Sequence, residues 1–130
     1  MAKLGRYSAD RKKIEALTAS KTVEVAECGT VFTADPTGGA ITVTLPTPAE
    51  AGKGWWIKVH RITDHANDVT IGVGGQPVKG LEISGGFTAL GATDDIVLSG
   101  AKEGIMVELI SDGTNWLAMA FGRVASDVNA

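Results

Sequence analysis

From residue 21 onward, apolar and polar residues alternate in short runs, and each run stops at Gly, Pro, Asp or Asn. A period of two marks a half-buried strand, with one face turned to a core and the other to water or a neighbour. In Ile41-Thr-Val-Thr-Leu45 the alternation is apolar with hydroxyl. In residues 55–62 it puts Trp55, Ile57 and Val59 on one face and Trp56, Lys58 and His60 on the other. Strands are predicted over residues 22–26, 31–33, 41–45, 55–62, 69–73, 81–83, 87–90, 104–111 and 115–121. Pro46 and Pro48 lack the donor a ladder needs, so the stretch before Trp55 reads as a loop. Asp112-Gly113-Thr114 reads as a tight hairpin turn, Gly113 taking a positive φ and the register placing Trp116, Ala118 and Ala120 on one face. No repeat of fixed period is evident. The pattern predicts an all-β fold, a β-sandwich, jelly roll or small barrel of short antiparallel strands.

The ends differ from this body. Residues 8–17 predict a short helix with Ser8 as N-cap and Ile14 and Leu17 on one side, in an arm that orders only against another surface. Residues 124–130 read as a frayed polar tail. The expected organisation is a basic arm over 1–21, an all-β domain over 22–123 and a tail over 124–130.

Charge sharpens that division. Residues 1–21 hold six basic side chains against two acidic ones, while the remainder holds six against thirteen, for a net charge of −3. An acidic body repels a phosphate backbone, so an acidic protein surface is the expected partner of the arm and nucleic acid is not. Arg6, Arg11, Lys12 and Lys13 carry the charge of the expected contact, and Leu4, Tyr7, Ile14 and Leu17 add apolar anchors that a purely solubilising tail would not need. Seventeen glycines and few aromatics fit many tight turns around a core of Val, Ile, Leu and Ala. The start has no apolar signal region and no apolar run has the length of a membrane span, so a soluble, non-secreted product with no membrane partner is expected.

The sequence offers little chemistry. Cys28 is the single cysteine, and with His60 and His65 it lacks the paired spacings of a zinc site, so a buried thiol and two surface or turn imidazoles are expected. Asp64, Asp68, Asp94 and Asp95 sit where turns place Asp, without a calcium-loop pattern. The Gly-Gly pairs precede no Gly-Lys-Ser/Thr, and Gly-x-Ser-x-Gly is absent. No catalytic residue, cofactor or metal is expected. The outward faces of the strands still carry Trp56, Ile62, Met106 and Ile110, which points to a subunit interface.

A basic arm, the Thr-rich strand 22–29, Ile41-Thr-Val-Thr-Leu-Pro46, the Gly-rich loop into Trp55-Trp-Ile-Lys-Val59, Asn67-Asp-Val-Thr-Ile71 and Ser111-Asp-Gly-Thr-Asn-Trp116 follow one another along the chain. Together they resemble small β domains of tailed-phage virions, head decoration (cement) proteins foremost. The resemblance implies a structural protein on the capsid exterior, made in the host cytoplasm, that binds the major capsid protein, associates as a homotrimer and bridges capsid subunits. The alternative it leaves is a receptor- or carbohydrate-binding head or tail fibre domain, with Trp55 or Trp56 as a sugar platform.

Overall fold

A computed structural model describes residues 11–83, 87–89, 93–99, 103–122 and 128–129. The strands in chain order are β1 (Lys13–Leu17), β2 (Lys21–Thr22), β3 (Thr30–Ala34), β4 (Ile41–Thr44), β5 (Trp56–Arg61), β6 (Val69–Gly72), β7 (Val78–Ile83), β8 (Phe87–Ala89), β9 (Ile96–Leu98), β10 (Met106–Ser111), β11 (Trp116–Phe121) and β12 (Val128–Asn129). One short helix, α1 (Pro48–Ala51), interrupts them. Thr47 caps it by accepting a hydrogen bond from the Glu50 amide, which settles the chain between the two prolines.

The strands form two sheets packed together, one in the order β1-β3-β5-β10-β11-β7-β8 and the other in the order β12-β9-β6-β4-β2. An all-β sandwich is therefore the architecture. Burial alternates along β5, β10 and β11, so Ile57, Val59, Val107, Leu109, Trp116 and Ala120 point inward. They meet Ile41, Val43, Val69, Ile71, Ile96 and Leu98 of the smaller sheet in one core. Fully burying each such large side chain stabilises the fold by roughly 1.5–3 kcal/mol.

The sheets are mixed rather than antiparallel. β1, β3 and β5 run parallel in one sheet, β2, β4 and β6 run parallel in the other, and β7 runs parallel to β11. Successive strands alternate between sheets, so the turns between them arch across the core and sequence neighbours do not pair. Only the later strands fold back locally, as in the β10–β11 hairpin. A turn residue marks a reversal in either case, which is why the pattern predicted the strands and missed their direction.

Three local expectations are corrected. Residues 13–17, expected within a helix, form β1 and pair with Thr30–Ala34. A strand puts Ile14 and Leu17 on opposite faces, so Leu17 is buried in the core and Ile14 stays exposed. The sheet therefore takes in residues ahead of position 21. The predicted strand 22–26 stops at Thr22 and gives way to a 3-10 turn over Val25–Glu27. Within the expected tail, Val128–Asn129 pairs with β9, and Val128 is buried.

Arg61 is the one fully buried charge among the described residues. Its guanidinium donates to the carbonyls of Leu98 (3.0 Å), Thr63 (3.3 Å) and His65, tying the loop after β5 to β9. Burial pulls its pKa down, and Asp68 and Asp64 oppose that shift.

Candidate functional site

The outward face of the larger sheet is built by the same alternation that builds the core. Register across β5, β10 and β11 sets its side chains in rows: Trp56–Ile110–Leu117, Lys58–Glu108–Met119 and His60–Met106–Phe121. β3 continues the last two rows with Val31 and Thr33, and β1 adds Ile14 beside Val31. Leu117, Met119 and Phe121 are each about 40% exposed and Ile14 is 67% exposed. A shallow groove of about 320 Å³ runs between β7 and β11, lined by Lys79, Gly80, Ile110, Leu117 and Met119.

The polar groups on this face are few, and lysines outnumber acidic groups among them. Lys58 Nζ lies 3.2 Å from Glu108 Oε2 near the centre of the strip. Burial, with the charge of Lys58 adding to it, holds the His60 imidazole below its ordinary pKa. Lys12 Nζ sits 4.9 Å above the Trp56 ring, a cation–π contact that leads the chain from β1 back over the strip.

Of the expected interface residues, Trp56 and Ile110 are register partners, and Met106 lies opposite His60 on the same face. Ile62 lies one residue past β5 and is exposed. Of the expected partner-binding residues, Arg11, Lys12 and Lys13 are exposed at the start of β1, whereas Leu17 belongs to the core and is withdrawn from any such contact. Leu4, Arg6 and Tyr7 lie outside the described residues. Leu117, Met119 and Phe121 were missed as face residues, although Trp116-Leu-Ala-Met-Ala-Phe121 is apolar at every position and so signals a strand with two dry faces.

Trp55 is not a sugar platform. It is buried, its Nε1 donates to the Val25 carbonyl at 2.7 Å, and its ring packs edge-on against Trp116 at 5.5 Å. Cys28, expected as a buried thiol, is exposed because the chain turns there through the 3-10 segment. His65 lies in the loop after β5, its Nδ1 accepting from the Asn67 amide. Asp95 accepts from the Val73 amide and Asp64 from the Glu103 amide, so both carboxylates pin turns. Among the described residues no three His, Cys, Asp or Glu side chains come together as a metal site requires.

The arrangement has the character of a binding surface: a mostly apolar strip on a hydrogen-bonded sheet, with the Lys58–Glu108 pair at its middle and Lys12 and Lys79 to either side. Compared with protein families and with curated proteins, the chain matches none.

Proposed function

We propose that this is a structural virion protein that attaches to the outside of a tailed-phage capsid as a homo-oligomer, braces neighbouring capsid subunits and carries out no chemistry. The outward strip of the larger sheet is the observation that supports a binding role, since monomers rarely leave apolar patches of this breadth to water. The capsid as target, and three-fold association, rest on the resemblance of the strand motifs to phage decoration proteins. The basic residues Arg11, Lys12 and Lys13 leave the body beside the strip, where they would steer it onto an acidic protein surface. The fibre alternative has less support, with Trp55 in the core and the Trp56 ring under Lys12.

Co-sedimentation with undecorated phage capsids tests the reading. The expected result is saturable binding together with capsids that resist heat and chelation longer. Protein that stays in the supernatant at every capsid concentration would reject it. A chain lacking residues 1–10 keeps β1 and is expected to bind more weakly with its fold unchanged.

A further inference from the structure

We propose, resting on the reading of the strip as a partner-binding surface, that it takes an extended acidic segment of a partner protein. The segment lies across the strands, with two carboxylate side chains four residues apart and an apolar side chain midway between them.

One row of the strip selects such a segment. Across β5, β10, β11 and β7 the register sets Trp56, Ile110, Leu117 and Lys79 in line. Lys12 Nζ lies 4.9 Å over the Trp56 ring, so the row has an ammonium group at each end and three apolar side chains between them. Two hollows open along it and share Ile110 as a wall. One, of about 260 Å³, is bounded by Lys12, Trp56 and Lys58, and the other, of about 320 Å³ between β7 and β11, by Lys79, Leu117 and Met119.

Charge decides the sign of the ligand. Glu108 lies 3.2 Å from Lys58, and the two cancel at the middle of the strip. Lys12 and Lys79 then make the row positive, on a chain that beyond position 21 holds thirteen acidic side chains against six basic ones. A second copy would bring the same lysines onto the strip. A phosphate backbone or an anionic lipid surface, whose charge is continuous, would also meet the acidic side chains that prevail over the rest of the chain. Two discrete carboxylates set against the two lysines avoid both conflicts.

Spacing decides its form. Three intervals of about 4.8 Å separate the strands of Trp56 and Lys79, about 14 Å in all. Alternate side chains of an extended chain share a face at about 3.3 Å per residue, so residues i and i+4 stand about 13 Å apart. Residue i+2 then falls between Ile110 and Leu117, where an apolar side chain enters the hollow between β7 and β11. A helix would put i and i+4 about 6 Å apart, too close together to reach both lysines.

The probe is the end-blocked peptide Ser-Glu-Ser-Leu-Ser-Glu-Ser, titrated into the full chain and followed by NMR. Saturable shifts of the Trp56 indole and of the Ile110 and Leu117 amides are expected, with a Kd on the order of 1 mM. Lys12 and Lys79 are exposed, so Lys12→Glu and Lys79→Glu are each expected to keep the spectrum of the folded chain and to weaken binding at least about fivefold. Lys79→Glu is expected to regain affinity for the peptide in which one Glu is replaced by Lys. A peptide with its two Glu only two residues apart is expected to bind the parent at least about fivefold more weakly. Affinity that ignores the spacing or the variants, or shifts centred away from this row, would overturn the proposal. So would saturable binding to phosphatidylglycerol vesicles that Lys12→Glu and Lys79→Glu abolish, since a membrane would then be the occupant. Capsid co-sedimentation of Met119→Glu separates the two levels of the reading. Loss of capsid binding in that variant with no binding of the peptide to the parent would overturn the acidic segment alone, whereas capsid binding equal to the parent's would overturn the strip as the binding surface.

Discussion

Across β4, β6 and β9 the outward row of the smaller sheet reads Thr42, Thr70 and Val97, with Thr22 and Thr44 in the next row. Across β5, β10 and β11 the outward rows of the larger sheet hold Trp56, Ile110, Leu117, Met106, Met119 and Phe121 around one ion pair. Both sheets bury their inner faces in the same Val, Ile and Leu core, so the difference does not come from what holds the sandwich together. β-branched threonine satisfies a pleated backbone and keeps its hydroxyl in water, whereas each exposed apolar side chain forgoes about 25 cal/mol per Å² until something covers it. The smaller sheet is finished by folding, whereas the larger one keeps apolar side chains uncovered in the single chain.

The largest test of that contrast lies in one glycine on each sheet. Gly80 on β7 approaches β11 so closely that an added Cβ would stand 2.0 Å from the Ala118 carbonyl oxygen. Backbone cannot yield as a side-chain tip does, so Gly80→Ala is expected to cost at least about 3 kcal/mol and to release β7 from the strip. A Cβ on Gly72 of β6 would lie 3.6 Å from Thr44 Oγ1, an ordinary contact. Gly72→Ala is expected to be neutral or stabilising by about 0.5 kcal/mol, through a less mobile unfolded chain. Denaturant melts of the two variants measure the difference, and equal destabilisation would show that the two sheets are not built differently at these crossings.

A second comparison introduces the same charge on each outward face. Met119→Glu and Thr42→Glu both point away from the core, so each is expected to change folding stability by no more than about 0.5 kcal/mol. Their effects on association should diverge, with Met119→Glu weakening it by about 2 kcal/mol or more and Thr42→Glu leaving it untouched. Sedimentation equilibrium at matched concentrations reads both, and an effect from Thr42→Glu would move the interface to the hydroxyl face.

How far the sequence made this contrast visible depends on the period. Alternation in residues 55–62 placed Trp55, Ile57 and Val59 inward and Trp56, Lys58 and His60 outward, and the structure agrees. Alternation also set Trp116, Ala118 and Ala120 together. Strand direction was not legible, because an arch across the sandwich and a hairpin use the same turn residues. β1 was misread since Ile14 and Leu17, three apart, fit a helical stripe as well as two faces of a strand. β9 and β12 escaped notice because three or two residues are too few to establish a period. The period put Arg61 on the inward face with Trp55, Ile57 and Val59, but an arginine next to a polar turn reads as exposed until the carbonyls around it are known.

The β10–β11 hairpin that presents Leu117, Met119 and Phe121 depends on Gly113, whose φ is +92° and whose added Cβ would press on Lys53 Cγ at 3.3 Å. Gly113→Val is expected to cost about 1–2 kcal/mol by thermal melt and to weaken association through loss of register on β11. An unchanged melting temperature would mean that the hairpin does not depend on this conformation.

The smallest expected effect is a pH dependence carried by the larger sheet alone. His60 stands on β5 between Thr33 and Met106, with Lys58 two residues away on its own strand and Glu108 paired to that lysine. Burial first and the Lys58 charge second lower its pKa from the ordinary 6.5, so the unfolded chain takes up the proton before the folded one does. The stability tied to neutral His60 is therefore complete above about pH 6.5, declines as pH falls toward the lower folded value, and stays lost below it. Asp112 and Asp35 are also shifted down, by hydrogen bonds from Asn115 and Thr37 respectively, so their contributions fail only in stronger acid and do not overlap this window. No imidazole lies on the described outward rows of the smaller sheet, among Thr22, Thr42, Thr44, Thr70 and Val97. The stability read by urea melts is expected to be lower at about pH 5.5 than at about pH 7.5 in the parent chain and to change less between them in His60→Gln, whose side chain carries no titrating group. A fall of the same size in His60→Gln would assign the pH response to another group and leave the strip without a proton-sensitive position.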